Sequence, residues 1–222
     1  MINSLVNNKL PQEIRKDQII CEDTKTSSVF EILLLLPDEI IWDILRESII
    51  DNKKIKSLSA GKLIDYSFWP SWDPDNTDNT RRVEPDLFLS FEKLDLIIES
   101  KIDLSNKQTK AQWEREIISY KNEHKETKKV ILLAVDGIFD PNLTVINEVE
   151  VYKTTWDKIA DTIINYSKNK NLEPEKKRLF KMFRNIFAMF YISYIDTISP
   201  LSEKLPIVID KNQIRKLPKK WN

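Results

Sequence analysis

The stretch that decides the fold is Pro85-Asp86-Leu-Phe-Leu-Ser-Phe-Glu-Lys-Leu-Asp-Leu-Ile-Ile-Glu99-Ser100-Lys101-Ile102. Two apolar runs, 86–91 and 96–102, are separated by Glu-Lys-Leu-Asp, a pattern typical of a β-hairpin with a four-residue connection. Glu99 and Lys101 interrupt the second run. Because buried charges are costly unless they are paired or bind a metal ion, this hairpin is the first place to look for a chemical site.

The predicted pairing of the hairpin brings its charged residues together. With residues 92–95 as the connection, Asp86 lies opposite Lys101. Side chains alternate between the two faces of a strand, so Asp86, Glu99 and Lys101 share one face. Glu99 is then diagonal to Asp86, at roughly 7–8 Å between backbones, a gap that one shared cation can bridge. The residues leave two interpretations open, a metal site or a structural ion pair of Asp86 with Lys101 at the sheet edge.

Two carboxylates beside a lysine suit one kind of chemistry in particular. Mg²⁺ prefers oxygen ligands, and metal-assisted hydrolysis of a phosphodiester also needs a cation near the negative charge that develops. The pattern Pro85-Asp86, twelve residues, then Glu99-Ser100-Lys101 resembles that of the PD-(D/E)XK nuclease superfamily. The resemblance covers roughly residues 27–168. It implies an α/β fold with a restriction-endonuclease-like core, in which α-helices flank a mixed central β-sheet.

The resemblance also implies roles for the hairpin residues. Asp86 and Glu99 would bind Mg²⁺ or Mn²⁺ together with the main-chain carbonyl of Ser100, and Lys101 would position or activate the attacking water. Many members of the superfamily add an acid from the first helix. Glu31 is the matching position in this chain, and a solvated helix face is the alternative for it.

Three further residues are weaker candidates. Some members carry Gln followed four residues later by Tyr, and this chain has Gln112 with Glu116 in the place of that Tyr. Gln112 is a candidate for contact with a phosphate or a metal-bound water, with a solvated helix face as the alternative. Arg81 and Arg82 stand just before the hairpin, where they would contact phosphate oxygens or neutralise the acidic loop beside them.

Apolar periodicity along the rest of the chain predicts alternating helices and strands. The predicted elements are helices over 29–36 (with N-caps at 26–28) and 37–51, a strand within 64–82 that runs into an exposed loop, the hairpin, a helix over 105–123, a central strand over 130–135, a strand over 149–154, and helices over 156–167 and 173–195. We expect one domain over 1–222, with its core at about 27–168 and a helical extension with a basic tail at 169–222.

Composition excludes several other classes of protein. Two glycines in 222 residues remove the phosphate-binding loops that need several, and a single Cys and a single His remove zinc centres built from several such ligands. Lys+Arg and Asp+Glu balance at 35 each, so a nucleic-acid surface has to be a local patch. Neither a signal peptide nor an apolar stretch of membrane-spanning length is evident, and we expect a cytoplasmic protein.

The expected function is that of a Mg²⁺-dependent or Mn²⁺-dependent nuclease acting on DNA, in bacterial or phage defence as the resemblance suggests. The alternative is a catalytically silent, nuclease-like assembly module. Such a module would act through the aromatic stripe of the helix over 174–195. The default interpretation of this stripe is core packing, and the other is an interface with a second copy or a partner protein. The stripe consists of Leu179, Phe180, Phe183, Ile186, Phe187, Phe190 and Tyr194.

Overall fold

The computed structural model describes residues 21–195 except 52, 104, 125–127, 139, 141 and 169–171. The basic part of the tail, and the first twenty residues, lie outside the described residues. The elements, in chain order, are α1 (Glu22–Leu33), α2 (Asp38–Ser48), β1 (Leu63–Phe68), β2 (Leu87–Phe91), β3 (Leu94–Ser100), α3 (Lys110–Glu123), β4 (Lys129–Val135), β5 (Thr144–Ile146), β6 (Val149–Thr154), α4 (Trp156–Ser167) and α5 (Pro174–Met189).

The strands form one mixed sheet of α/β type, in the order β1-β2-β3-β4-β6-β5. Antiparallel pairing joins β1 to β2 and β2 to β3, whereas β3, β4 and β6 run parallel. The predicted central strand is confirmed, because β4 lies between β3 and β6 and its last five residues are buried. Three-residue β5 was not predicted, since so short a segment carries no periodicity.

The hairpin has a different register from the predicted one. Leu87 pairs with Ile98 and Ser90 pairs with Asp95, so the connection is two residues long and β3 begins at Leu94. Continuing this register places Asp86 opposite Glu99 rather than opposite Lys101. The cause is burial of Leu94 in the core and of the Asp95 carboxylate, which accepts hydrogen bonds from Ser90 and Tyr120. A shift of two residues preserves alternation, so the predicted face of Asp86 and Glu99 is unchanged.

Helices cover both faces of the sheet. On one face, apolar side chains of α1, α2, α4 and α5 pack with Leu87, Leu89 and Ile98 in the larger core cluster. On the other, α3 packs with Phe88 and Ile97 in a smaller cluster. Asp86 and Glu99 alternate in step with Phe88 and Ile97, so they lie on the α3 face at the end of β3. Among the helices described, none is long and apolar enough to cross a membrane.

Several helix ends differ from the prediction. Helix α3 begins at Lys110 rather than 105, because the Thr109 side chain caps it by accepting a hydrogen bond from the Gln112 N–H. Helix α1 begins at Glu22, well before the predicted caps at 26–28, because Cys21 and Thr24 cap it: the Cys21 N–H donates to Thr24 Oγ1 at 3.2 Å. Helix α5 ends at Met189 rather than 195. Tyr191 takes a left-handed conformation, with φ of 54°, and the Ile192 N–H donates to the Phe187 carbonyl at 2.9 Å. This is a Schellman-type helix end, and because its left-handed residue is a tyrosine rather than the usual glycine, the sequence does not indicate it.

The aromatic stripe of α5 packs into the larger core cluster. Phe180, Phe183, Ile186 and Phe187 are all buried there, and α5 lies against α1 and α4. The central residues of the stripe therefore pack in the core, as the default interpretation predicted.

Candidate metal centre

Three carboxylates meet at the end of β3. Glu22 comes from the first turn of α1, Asp86 from the residue before β2, and Glu99 from β3; one oxygen atom of each lies within 4.8 Å of the others. Oxygen ligands on opposite sides of one Mg²⁺, each about 2.1 Å from it, are about 4.2 Å apart. Small side-chain movements would therefore bring all three oxygens onto one cation. Asp86 and Glu99 are buried, and Glu22 is partly exposed.

The ammonium group of Lys101 lies among these carboxylates. Its Nζ donates to Glu99 Oε1 at 2.7 Å and to Glu22 Oε1 at 2.9 Å. The alternative prediction was an ion pair between Lys101 and Asp86. Lys101 pairs with Glu99 and Glu22 instead, because the observed register places Glu99, not Lys101, opposite Asp86. Burial acts to lower the pKa of Lys101, but the charges and hydrogen bonds of Glu99 and Glu22 outweigh burial and raise it above its ordinary value. Without a bound cation, the carboxylates of Glu99 and Glu22 therefore favour the charged form of Lys101.

Asp86 is held through one of its two carboxylate oxygens. Oδ2 accepts hydrogen bonds from the Ser100 N–H at 2.8 Å and the Ser100 Oγ at 2.7 Å. Thr26 of α1 supports Ser100, since the two hydroxyl oxygens are 2.6 Å apart. Burial raises the pKa of Asp86, and the Ser100 hydrogen bonds act against that rise. With Oδ2 occupied in this way, Oδ1 is the oxygen left for a cation.

Glu99 has side-chain hydrogen bonds from two different parts of the fold. Its Oε1 accepts hydrogen bonds from Lys101 and from the Gln112 amide of α3, the latter at 2.5 Å. Burial, followed by the neighbouring charge of Asp86, raises the pKa of Glu99 to about 7. A buried carboxyl group beside other acids is costly to ionise, and a bound divalent cation would remove that cost.

Gln112 does reach the site, and a second glutamine that sequence reasoning missed also supports it. Gln108 Nε2 donates to the main-chain carbonyls of Glu99, Val135 and Asp136 at 3.0–3.2 Å, and its Oε1 accepts from the Trp113 indole at 2.6 Å. It therefore joins the ends of β3 and β4 to α3. Nothing in the sequence around Gln108 marks this role, because two of the three carbonyls, those of Val135 and Asp136, belong to residues more than 25 positions away.

Glu116 is a fourth acid at the site. It lies one turn after Gln112 on α3, is 3% exposed, and its carboxyl group is within hydrogen-bonding reach of Glu99. Burial, followed by the charges of Glu99 and Asp86, raises the pKa of Glu116 well above its ordinary value. In the sequence, Glu116 had stood out only as a departure from the Gln-Tyr pattern.

Other predicted residues lie apart from the cluster. Glu31 is exposed, and the acid that α1 contributes is Glu22 instead. They are nine positions apart, which is two and a half turns of helix, so they project from opposite sides and about 13.5 Å apart along the axis. Arg81 and Arg82 are exposed in the loop before β2. Arg82 donates to the Ser71 carbonyl at 2.6 Å and lies 3.4 Å from a Glu123 carboxylate oxygen.

Comparison with known proteins adds little to this geometry. No protein-family model matches the chain. A segment of 119 residues, 53% of the chain, is 30% identical to an uncharacterized protein, PM0110, of Pasteurella multocida (strain Pm70). The match covers 43% of that protein, so this chain corresponds to less than half of the relative's length. The name of the relative assigns no activity.

Proposed function

We propose that the protein is a cytoplasmic, divalent-metal-dependent nuclease with a restriction-endonuclease-like core that hydrolyses phosphodiester bonds of DNA. The observation that carries this proposal is the meeting of three carboxylate oxygens from three separate elements within 4.8 Å, beside the ammonium group of Lys101. A structural ion pair accounts for this less well. Three acids against one lysine leave more carboxyl groups in a largely buried place than one ammonium group can neutralise, and burial makes them costly to ionise unless a further cation is bound.

The chemistry of the donor set fits Mg²⁺ or Mn²⁺. The acidic cluster offers carboxylate oxygens, without sulfur or imidazole, and these are the ligands that such cations prefer. A buried Glu116 oxygen that has no hydrogen-bond partner among the described residues is a further sign that the site is incomplete without a ligand. Glu22, Asp86 and Glu99 would hold the cation, with the Ser100 carbonyl as the predicted fourth donor.

Each residue of the site has a role that follows from its contacts. When bound, the cation would polarise the phosphoryl group and ease deprotonation of a water molecule. Lys101 would position or activate that water and stabilise negative charge on the phosphate. Gln112 would keep the Glu99 carboxylate in place through its amide. Gln108 would hold the strand ends from which Glu99 and Lys101 project.

The DNA partner would approach along the loop that leads into Asp86. Arg81 and Arg82 are exposed in that loop, and arginines in such positions contact phosphate oxygens without reading sequence. The chain has no net charge, so these local cations would have to supply much of the attraction. The assembly-module alternative is less favoured, because the central aromatic residues of α5 are already buried in the core.

The test is cleavage of supercoiled plasmid and linear DNA by the purified protein with Mg²⁺, with Mn²⁺ and with EDTA. We expect cleavage in both metals and none in EDTA. Glu99→Ala should abolish cleavage, while Glu114→Ala, which changes an exposed acid of α3, should not. Equal cutting by wild type and Glu99→Ala would contradict the site, and inactivity of the wild type on DNA in every condition would contradict the proposed function.

A further inference from the structure

Glu116 occupies a position that packing alone does not explain. It is 3% exposed, and its neighbours on the buried side of α3 are Trp113, Ile117 and Tyr120, which pack in the smaller core cluster. Its Oε2 atom is buried without a hydrogen-bond partner among the described residues. Leaving a carboxylate oxygen unsatisfied in the interior is destabilising, and an apolar side chain would fill this space at lower free energy.

The location of Glu116 relates it to the cation site. Residues four apart on a helix lie on the same side, so Gln112 and Glu116 both project towards Glu99. Gln112 donates a hydrogen bond to Glu99 Oε1, and the Glu116 carboxyl group lies against the same carboxylate. Two acids in contact repel one another unless a proton or a cation lies between them.

We propose that Glu116, supplied by α3, is an additional carboxylate ligand of the divalent cation held by Glu22, Asp86 and Glu99. Its oxygens lie outside the set of three that are within 4.8 Å of one another, so binding would draw the Glu116 side chain towards the cation. The inference rests on the metal site of the proposed function and extends it by one ligand. The unpaired Oε2 atom is the oxygen that the cation would engage. Among the described residues, Lys101 is the lysine that forms ion pairs in this cluster, with Glu22 and Glu99, so it is outnumbered by the carboxyl groups of Glu22, Asp86, Glu99 and Glu116. This excess of acid is compensated when a divalent cation is bound.

The test measures Mn²⁺ binding directly, without reference to cleavage. Free Mn²⁺ is followed by electron paramagnetic resonance during titration into the full-length protein, and thermal unfolding is recorded with and without Mn²⁺. Glu116→Gln keeps the shape of the side chain and removes the charge. Glu114→Gln makes the same change at an exposed position of the same helix and is the matched control. Glu116→Met provides a second, apolar variant that suits the surrounding cluster.

A ligand and a merely structural residue give different results. If Glu116 is a ligand, Glu116→Gln and Glu116→Met bind Mn²⁺ at least tenfold more weakly, and Mn²⁺ raises their melting temperature less than it raises that of wild type. Their metal-free melting temperature is equal to or above that of wild type, because repulsion between acids is relieved. Glu114→Gln behaves as wild type in every respect.

Two other results would overturn the inference, and they are distinguishable. Wild-type Mn²⁺ affinity in both Glu116 variants would show that Glu116 is not a ligand, while leaving the proposed nuclease site intact. Absence of Mn²⁺ binding by the wild type would overturn both this inference and the proposed function on which it rests.

Discussion

At the scale of single residues, Glu22 and Glu31 provide a matched pair on one helix. Glu22 lies 2.9 Å from Lys101 Nζ and belongs to the carboxylate cluster, whereas Glu31 is exposed on the opposite side of α1. Glu22→Gln should lower the rate of Mg²⁺-dependent DNA cleavage at least tenfold, because a cation ligand is lost. Glu31→Gln should leave the rate within twofold of wild type. Rate constants measured at saturating Mg²⁺ decide between them, and the reverse pattern would contradict the assignment of Glu22.

The buried acids also predict an unusual dependence of stability on pH. Since burial raises the pKa of Glu99 to about 7 from its ordinary 4.5, the folded protein holds this proton more tightly than the unfolded chain does. The resulting stabilisation is complete below about pH 4.5 and is lost as pH rises towards 7. For a shift of this size the loss is on the order of 3 kcal/mol.

Urea unfolding in EDTA at pH 5 and pH 8 measures this effect. The free energy of unfolding of the wild type should fall more between these pH values than that of Glu99→Gln, which has no proton to lose at this position. Mn²⁺ added at pH 8 should restore the stability of the wild type. An identical pH dependence in the two proteins would show that Glu99 does not titrate as its surroundings indicate.

At the scale of elements, Gln108 and Gln112 lie four residues apart but have different roles. We expect Gln108 to stabilise the fold and Gln112 to hold the site. Gln108 satisfies three main-chain carbonyls at the ends of β3 and β4, whereas Gln112 engages the Glu99 side chain. Gln108→Ala should lower the free energy of unfolding by about 1–3 kcal/mol, because it removes the side-chain donor to the Glu99 and Asp136 carbonyls, while the Val135 carbonyl keeps its hydrogen bond from the Lys101 N–H. Gln112→Ala should change stability by less than about 1 kcal/mol and still slow cleavage. Equal losses of stability would contradict this division.

The same elements show why sequence reasoning located the hairpin but mistook its register. Alternation and the Pro-Asp opening were sufficient to place Asp86 and Glu99 on one face. The segment Glu-Lys-Leu-Asp at 92–95 has the composition of a turn. Asp95 nevertheless belongs to β3, where its carboxylate accepts a hydrogen bond from Tyr120, 25 residues away. Glu22 was missed for a similar reason. The first turns of α1 are polar, and they pack through long-range hydrogen bonds such as that from Lys25 to the Ile102 carbonyl.

At the scale of the whole molecule, the burial of the aromatic stripe of α5 distinguishes a helix that packs in the core from one that offers a docking surface. Phe183 is fully buried among residues of the larger core cluster, whereas Tyr191 just beyond the helix is 83% exposed. Phe183→Ala should lower the free energy of unfolding by about 3–5 kcal/mol through lost burial and the cavity left behind. Tyr191→Ala should change it by no more than about 0.5 kcal/mol. Chemical denaturation of both variants measures this, and a Phe183→Ala protein as stable as wild type would contradict core packing.

The most direct test of the central claim is to locate Mn²⁺ in crystals of the protein by its anomalous scattering. We predict a Mn²⁺ peak between the carboxylates of Glu22, Asp86 and Glu99, within about 2.5 Å of an oxygen of each, and loss of that peak in crystals of Glu99→Ala. Crystals soaked in Mn²⁺ that bind the ion only elsewhere, with these three carboxylates unoccupied, would contradict the account.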